Sequence, residues 1–116
     1  MSRRARMSGI IPVIFDFDDT LIPASTTQFL RSRGVDAGRF WADATDLVKQ
    51  GYDETFAWLR LFLGLIGKNK ALGELTNRDL AKFGAKLDKT YFDGIPTLFR
   101  DLRKEVARAH GVEIEF

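Results

Sequence analysis

The stretch IIPVIFDFDDTL at residues 10–21 is the part of the sequence that decides the expected fold. Its first half, residues 10–15, is an unbroken apolar run. Continuous apolarity, rather than alternation, is typical of a strand that is covered on both faces, as in a parallel sheet. We therefore predict a strand at residues 12–17. Pro12 is compatible with a position near its start, because proline cannot donate a hydrogen bond to a sheet.

The sequence that follows this run is mainly helical. Asp36 and Asp53 can each cap a helix, a third helix is expected to begin at Thr76, and a longer helix is predicted between Pro96 and Gly111. The apolar residues at helical spacing are Phe40, Ala44, Leu47 and Val48 in the first helix, Phe56, Leu59, Leu63 and Ile66 in the second, Leu80, Phe83 and Leu87 in the third, and Phe99, Leu102 and Val106 in the fourth.

A second strand is predicted at residues 112–116, where apolar and acidic residues alternate. The order is then strand, several helices, strand. This order indicates an α/β fold in which a right-handed crossover with a helical insert joins two adjacent parallel strands. Two strands alone make a poor sheet, so apolar side chains at Val13, Phe15, Ile114 and Phe116 are expected to lack partners. We therefore expect self-association through exposed strand edges.

Composition narrows the classes of protein to consider. The chain has 116 residues, 45% of them hydrophobic, and a formal net charge of +2, which indicates one ordinary globular domain. It has no cysteine, so disulfides and thiolate metal sites are excluded. No apolar stretch approaches the roughly 18 residues that a membrane span needs. We expect a cytoplasmic protein with no membrane partner.

Three arginines, Arg3, Arg4 and Arg6, precede the apolar run. A basic arm of this kind can contact nucleic acid or a membrane surface. No aromatic residue lies among these arginines to stack on bases, so we interpret residues 1–9 as a flexible, solvated arm and expect no nucleic-acid partner.

Three carboxylates, Asp16, Asp18 and Asp19, follow the predicted strand within four residues. Asp16 and Asp18 would lie on one side of the chain if the strand continued, at the sheet edge where ligands bind in α/β proteins. Carboxylate oxygens are ligands for a hard cation such as Mg²⁺. The alternative is that these residues only form a turn and cap the next helix.

The string DFDDTL at residues 16–21 resembles motif I, DxDx[TV], of the haloacid dehalogenase (HAD) superfamily, most of whose members are magnesium-dependent phosphatases. The position of Asp19 is often glycine in that motif. Residues 91–96, YFDGIP, resemble the return from a helical cap into the core. The resemblance covers nearly the whole chain, and motif I is its specific part. It implies the start of a Rossmann-like parallel sheet at residues 10–23 and 92–116, with a helical cap at 24–91.

The resemblance also implies roles for individual residues. Asp16 would be the nucleophile that forms an aspartyl phosphate, and it would bind Mg²⁺. Asp18 would be the general acid and base, and its backbone carbonyl would ligate the metal. Two carboxylates suit this chemistry because one stays ionised to attack while the other carries a proton. Thr20 would support the loop by hydrogen bonding. The substrate would be a small phosphorylated molecule.

The family also uses a Ser or Thr, a Lys and a second acidic pair to hold the phosphate and the metal. We expect these elements to lie beyond Phe116, since Lys68, Lys70 and Lys86 fall in the predicted cap. The chain therefore resembles the N-terminal, truncated part of a HAD-type phosphatase, and we expect it to be inactive alone.

Two other functions remain open from the residues. A phosphoacceptor domain of the receiver type also has acidic residues after its first strand, but only one helix before its second. The length from Leu21 to Phe116 disfavours it. The other is a non-catalytic helical interaction module in which the aspartates form only a turn.

Other residues give weaker signals. His110 is the only histidine, and its place near a helix end favours a structural role over proton transfer. Trp41, Phe56, Trp58 and Phe62 could line a substrate pocket, but aromatic residues at helical spacing are more often part of the core.

Overall fold

The computed structural model describes residues 9–116 as a mixed α/β chain with five α-helices and a two-stranded parallel sheet. Its elements in order are β1 (Ile10–Pro12), α1 (Ser25–Ser32), α2 (Ala37–Lys49), α3 (Glu54–Gly64), α4 (Asn77–Gly84), a 3₁₀ turn (Leu87–Lys89), α5 (Ile95–His110) and β2 (Glu113–Glu115). The basic arm predicted at residues 1–9 lies outside the described residues, except for Gly9.

The chain divides into two units. Unit 1 combines residues 9–23 of the described chain with Thr90–Phe116, and unit 2 is Ala24–Lys89. The sequence analysis predicted that the helical cap spans residues 24–91, with the divisions after residues 23 and 91. Unit 1 therefore contains both strands and α5, and unit 2 contains α1 to α4.

The two strands pair in parallel, as predicted, with Ile11 opposite Ile114. The Val13 amide extends the pairing by donating to the Glu115 carbonyl, 2.8 Å away. The predicted length was wrong, because β1 ends at Pro12 instead of continuing to residue 17. In this register Pro12 lies opposite Glu115, so residues 14–17 extend past the last residue of β2.

The expected burial of the strands was also partly wrong. Ile10 and Ile11 are 56% and 48% exposed, so β1 is not covered on both faces. Ile114, by contrast, was expected to lack partners and is only 5% exposed. The Arg103 guanidinium on α5 donates to the Ile114 carbonyl at 3.2 Å, so α5 runs beside β2.

An aromatic cluster provides partners for two more residues that were expected to lack them. The ring of Phe99 on α5 lies 5.4 Å from that of Phe15 and 4.8 Å from that of Phe116, measured between centroids. Aromatic pairs at these separations add to the free energy gained from burial alone. Val13 is half-buried, whereas Ile14 is 91% exposed.

The limits of helix α5 and the apolar face that it buries were predicted correctly. Gly94 and Gly111 flank it with φ values of 85° and 64°, left-handed conformations that favour glycine. Pro96 is the second residue of the helix, where no backbone hydrogen bond is lost. Phe99, Leu102 and Val106 are all half-buried. No helix in residues 9–116 is long and apolar enough to cross a membrane.

Unit 2 has its own core, made of Phe29, Leu30, Ala37, Phe40 and Leu72. The predicted caps are confirmed. The Asp36 carboxylate accepts from the Arg39 amide at 3.0 Å, and the Asp53 carboxylate accepts from the amides of Thr55 and Phe56.

The predicted buried face of α3 was wrong. Phe56 and Leu63 are 68% and 64% exposed, and Ala57 is the buried residue of this helix. Apolar residues of α3 occur all round the helix, so their spacing does not identify one buried face. The helix also ends at Gly64, before Ile66. Two smaller differences are that Val48 is 40% exposed and that Leu87 follows α4 in the 3₁₀ turn.

Helix α4 begins with a capping box. The Thr76 hydroxyl accepts from the Asp79 amide, and the Asp79 carboxylate accepts from the amide and the hydroxyl of Thr76 at 2.9 and 2.8 Å. These hydrogen bonds, first the backbone one, lower the pKa of Asp79, and the positive charges of Arg33 and Lys82 act in the same direction.

The lowered pKa of Asp79 predicts a pH-dependent contribution to the stability of unit 2. A carboxyl whose pKa is depressed by folding stabilises the folded state above its unfolded pKa, and this contribution is lost as the pH falls through its folded pKa. Asp79→Asn should therefore lower the urea midpoint at pH 7, and the difference from the unsubstituted chain should narrow towards about pH 3. Tryptophan fluorescence reports the transition. Asp88→Asn, which makes the same charge change in the 3₁₀ turn, is the control. A difference that is the same at all pH values would contradict this contribution.

Candidate functional site

The aspartate cluster lies in a tight turn that follows β1. The Phe17 carbonyl accepts from three successive amides, those of Thr20, Leu21 and Ile22, at 3.0–3.3 Å. Ile22 is fully buried, and the chain forms an isolated bridge between Asp18 and Ile22. The turn is thus closed by backbone hydrogen bonds and anchored by one buried side chain.

The return segment also holds this turn. The Phe92 amide donates to the Leu21 carbonyl at 3.0 Å, which joins the residues before unit 2 to those that follow it. The residues at 91–96 that the sequence interpreted as a return to the core therefore contact the aspartate turn.

The structure places both predicted site residues, Asp16 and Asp18, in this turn, and both are exposed. The strand does not continue to these residues, because β1 ends four residues before Asp16, so strand alternation does not place their side chains on one side. The two residues flank Phe17, whose carbonyl accepts the hydrogen bonds that close the turn.

Thr20 makes the hydrogen bond that was expected of it. Its hydroxyl donates to Oδ2 of Asp16 at 3.2 Å. No other hydrogen bond to the Asp16 carboxylate comes from residues 9–116. One carboxylate oxygen of Asp16 is thus oriented by the turn, and the other faces no donor of the described chain.

Asp19 adopts a left-handed conformation, with φ of 57°. Aspartate and asparagine tolerate this conformation better than most residues, and glycine adopts it freely. The backbone therefore explains why glycine or aspartate suits this position. Unusual backbone conformations of this kind are frequent at functional sites.

The metal expected at this turn has a limited set of protein ligands. Within residues 9–116 no group of three or more His, Cys, Asp or Glu side chains is arranged to hold an ion. Mg²⁺, however, commonly binds through one or two carboxylates, with water and substrate phosphate completing its shell. The oxygen donors of Asp16 and Asp18 suit that ion, and they do not form an all-protein site.

Other candidates from the sequence have structural positions. His110 is the last residue of α5, where a basic side chain interacts favourably with the helix dipole. Trp41, Trp58 and Phe62 pack against the core of unit 2, which agrees with their interpretation as core residues. Phe56 is exposed and does not pack against this core.

Comparison of the chain with protein-family models, curated proteins and solved structures gave no match.

Binding of Mg²⁺ by the turn should be weak and should depend on Asp16, because two carboxylates supply only part of the oxygen shell. Titration calorimetry should give a dissociation constant in the millimolar range for the unsubstituted chain, the order expected for a site with few protein ligands. Asp16→Asn should remove the signal. Asp101→Asn, on α5 of the same unit, should leave it unchanged. Tight binding that survives Asp16→Asn would mean that the ion binds elsewhere.

Proposed function

We propose that the turn at residues 16–22 is the catalytic turn of a magnesium-dependent phosphohydrolase of the HAD type. The observation that supports this most strongly is the hydrogen bond from Thr20 to Asp16 in a turn that leaves Asp16 and Asp18 exposed. The resemblance of residues 16–21 to motif I assigns the same three residues to one loop.

The competing receiver-type function fits the fold less well. Five helices lie between β1 and β2, whereas a receiver-type domain has a single helix between its first two strands. The number of helices agrees better with a helical insert that follows the aspartate turn.

In the proposed reaction, a carboxylate oxygen of Asp16 attacks the phosphorus of a phosphate monoester, and the bond from phosphorus to the ester oxygen breaks. Asp18 donates its proton to the departing alkoxide, so the alcohol leaves neutral. Asp18 then accepts a proton from water, which attacks the aspartyl phosphate. The bond between phosphorus and Asp16 breaks, and inorganic phosphate and the free carboxylate are released.

The turn contributes to the reaction by positioning the two aspartates. The Thr20 hydroxyl limits the rotation of the Asp16 carboxylate and so reduces the entropy lost when the nucleophile is aligned. Exposure of Asp16 and Asp18 leaves both accessible to a substrate in solution. Bound Mg²⁺ would neutralise phosphate charge that otherwise repels the attacking carboxylate.

We expect these 116 residues alone to hydrolyse phosphate esters at a low rate. Within residues 9–116 there is no third acidic or histidine side chain in a metal-binding group with the aspartates. Removal of one preorganised group that stabilises the transition state commonly reduces the rate by about 10²–10³. Activity is therefore expected only when the lysine, the Ser or Thr and the acidic pair of the family are also supplied.

A phosphatase assay tests this function directly. The 116-residue chain should hydrolyse p-nitrophenyl phosphate at close to the background rate, and a version extended through the remaining family motifs should hydrolyse it in the presence of Mg²⁺. In the extended version, Asp16→Asn should abolish turnover, and Asp18→Asn should reduce it by about 10²-fold or more, the usual contribution of general acid catalysis.

Two controls accompany this assay. EDTA should stop hydrolysis by the extended protein, and Asp101→Asn should not affect it. Turnover by the extended protein that is indifferent to Asp16→Asn would eliminate the phosphatase function. Rapid, EDTA-sensitive hydrolysis by the 116-residue chain would show that these residues need no further groups.

A further inference from the structure

A pocket of about 570 Å³ lies between α2 and α3, entirely within unit 2. Trp41 and Trp58 line it, and Glu54 is its charged residue. Thr45 and Thr55 supply two hydroxyl groups. The volume falls in the range of small-molecule sites, which combine apolar walls with a few polar groups.

The two indoles are held in fixed orientations. The Trp41 ring nitrogen donates to the Thr27 hydroxyl at 2.8 Å, and its ring packs edge-to-face on Phe40 with a centroid separation of 5.0 Å. Trp58 packs edge-to-face on Phe62 at 6.4 Å. Because these contacts restrict both rings, a ligand that binds here would not have to order them first.

The rings of Trp41 and Trp58 both line the pocket. The centroids of Trp41 and Trp58 are 6.4 Å apart and the ring planes are inclined by 56°. The rings are therefore not stacked face to face. Tryptophan has the aromatic face that attracts cations most strongly, when the charge lies within about 6 Å of the ring centroid.

Glu54 gives the pocket its charge. It lies in the first turn of α3, after the capping residue Asp53. Neither lysine nor arginine is among the pocket-lining residues in the described chain, and Glu54 takes part in no ion pair within residues 9–116. The pocket thus combines one carboxylate with two indoles and has no competing positive side chain of its own.

We infer that this pocket is a binding site for a small organic cation, an alkylated ammonium group, held by the faces of Trp41 and Trp58 and paired with Glu54. A quaternary ammonium group fits this chemistry best, because its methyl groups bury apolar area while its charge is attracted by the rings. The inference is independent of the phosphohydrolase proposal, since all of the lining residues belong to unit 2.

Fluorescence provides a direct test, because the chain has two tryptophans and both line the pocket. Choline is the probe, and 3,3-dimethylbutan-1-ol, which has the same shape without the charge, is the matched control. Choline should change the emission in a saturable way and bind at least about twofold more tightly than the neutral alcohol, the lower end of what a cation–π contact contributes. Ethanolamine tests a primary ammonium group, and it should bind more weakly than choline. Sodium chloride at equal ionic strength corrects for screening.

Two variants test the residues. Glu54→Gln should weaken choline about twofold to fivefold, as expected for an exposed ion pair, whereas Glu74→Gln, an exposed glutamate of the same unit outside the pocket, should have no effect. Trp58→Leu should remove binding, with circular dichroism as the check of folding and Trp41 as the remaining reporter. Equal affinity for choline and the neutral alcohol, no saturation by choline, or indifference to Glu54→Gln would each overturn the inference. These outcomes are independent of the phosphatase assay.

Discussion

The parallel pairing of β1 with β2 is the interaction on which unit 1 depends. It joins Ile10–Pro12 to Glu113–Glu115, segments that are separated in sequence by the whole of unit 2. Closing so long a segment costs conformational entropy, although that cost rises only slowly with length. A pair of three-residue strands has few hydrogen bonds to offset it, and a two-stranded sheet is marginal in water. The pairing therefore needs support from other contacts.

Helix α5 supplies that support, and it does so beside β2. Its Arg103 donates to the carbonyl of the buried Ile114, and its Phe99 contacts the rings of Phe15 and Phe116. The aromatic cluster continues past the end of the paired residues and so fixes the direction in which the chain leaves β1. The aspartate turn begins at the next residue. The geometry proposed for catalysis is thus a consequence of strand pairing and aromatic packing together with the backbone hydrogen bonds of the turn itself.

The parts of this fold that the sequence predicts are those with a local cause. Asp36, Asp53 and Thr76 cap helices because their side chains reach amides only two or three residues away, and Gly94 and Gly111 mark the ends of α5 through left-handed conformations. The wrong predictions concern contacts between distant residues. The length of β1 depended on its register with β2. The buried face of α3 depended on the helices around it, and the burial of Ile114 depended on the presence of α5 beside β2. The aspartates of the candidate site could be identified from their spacing, but they lie in a turn and not at the end of a strand. The sequence raised Trp41 and Trp58 as possible pocket residues, but it could not place them beside Glu54, because that arrangement exists only when α2 packs on α3.

The direction of the β1–β2 pairing can be measured by NMR, through the nuclear Overhauser effects between backbone protons of residues 10–13 and 113–115. Parallel strands should give contacts between amide and α protons that match Ile11 opposite Ile114, with no close pair of α protons across the strands. The Val13 amide, bonded to the Glu115 carbonyl, should be protected from hydrogen exchange in the same sample. Close pairs of α protons, which are characteristic of antiparallel strands, or the absence of any contact between these segments, would contradict the fold and the position of the aspartate turn that depends on it.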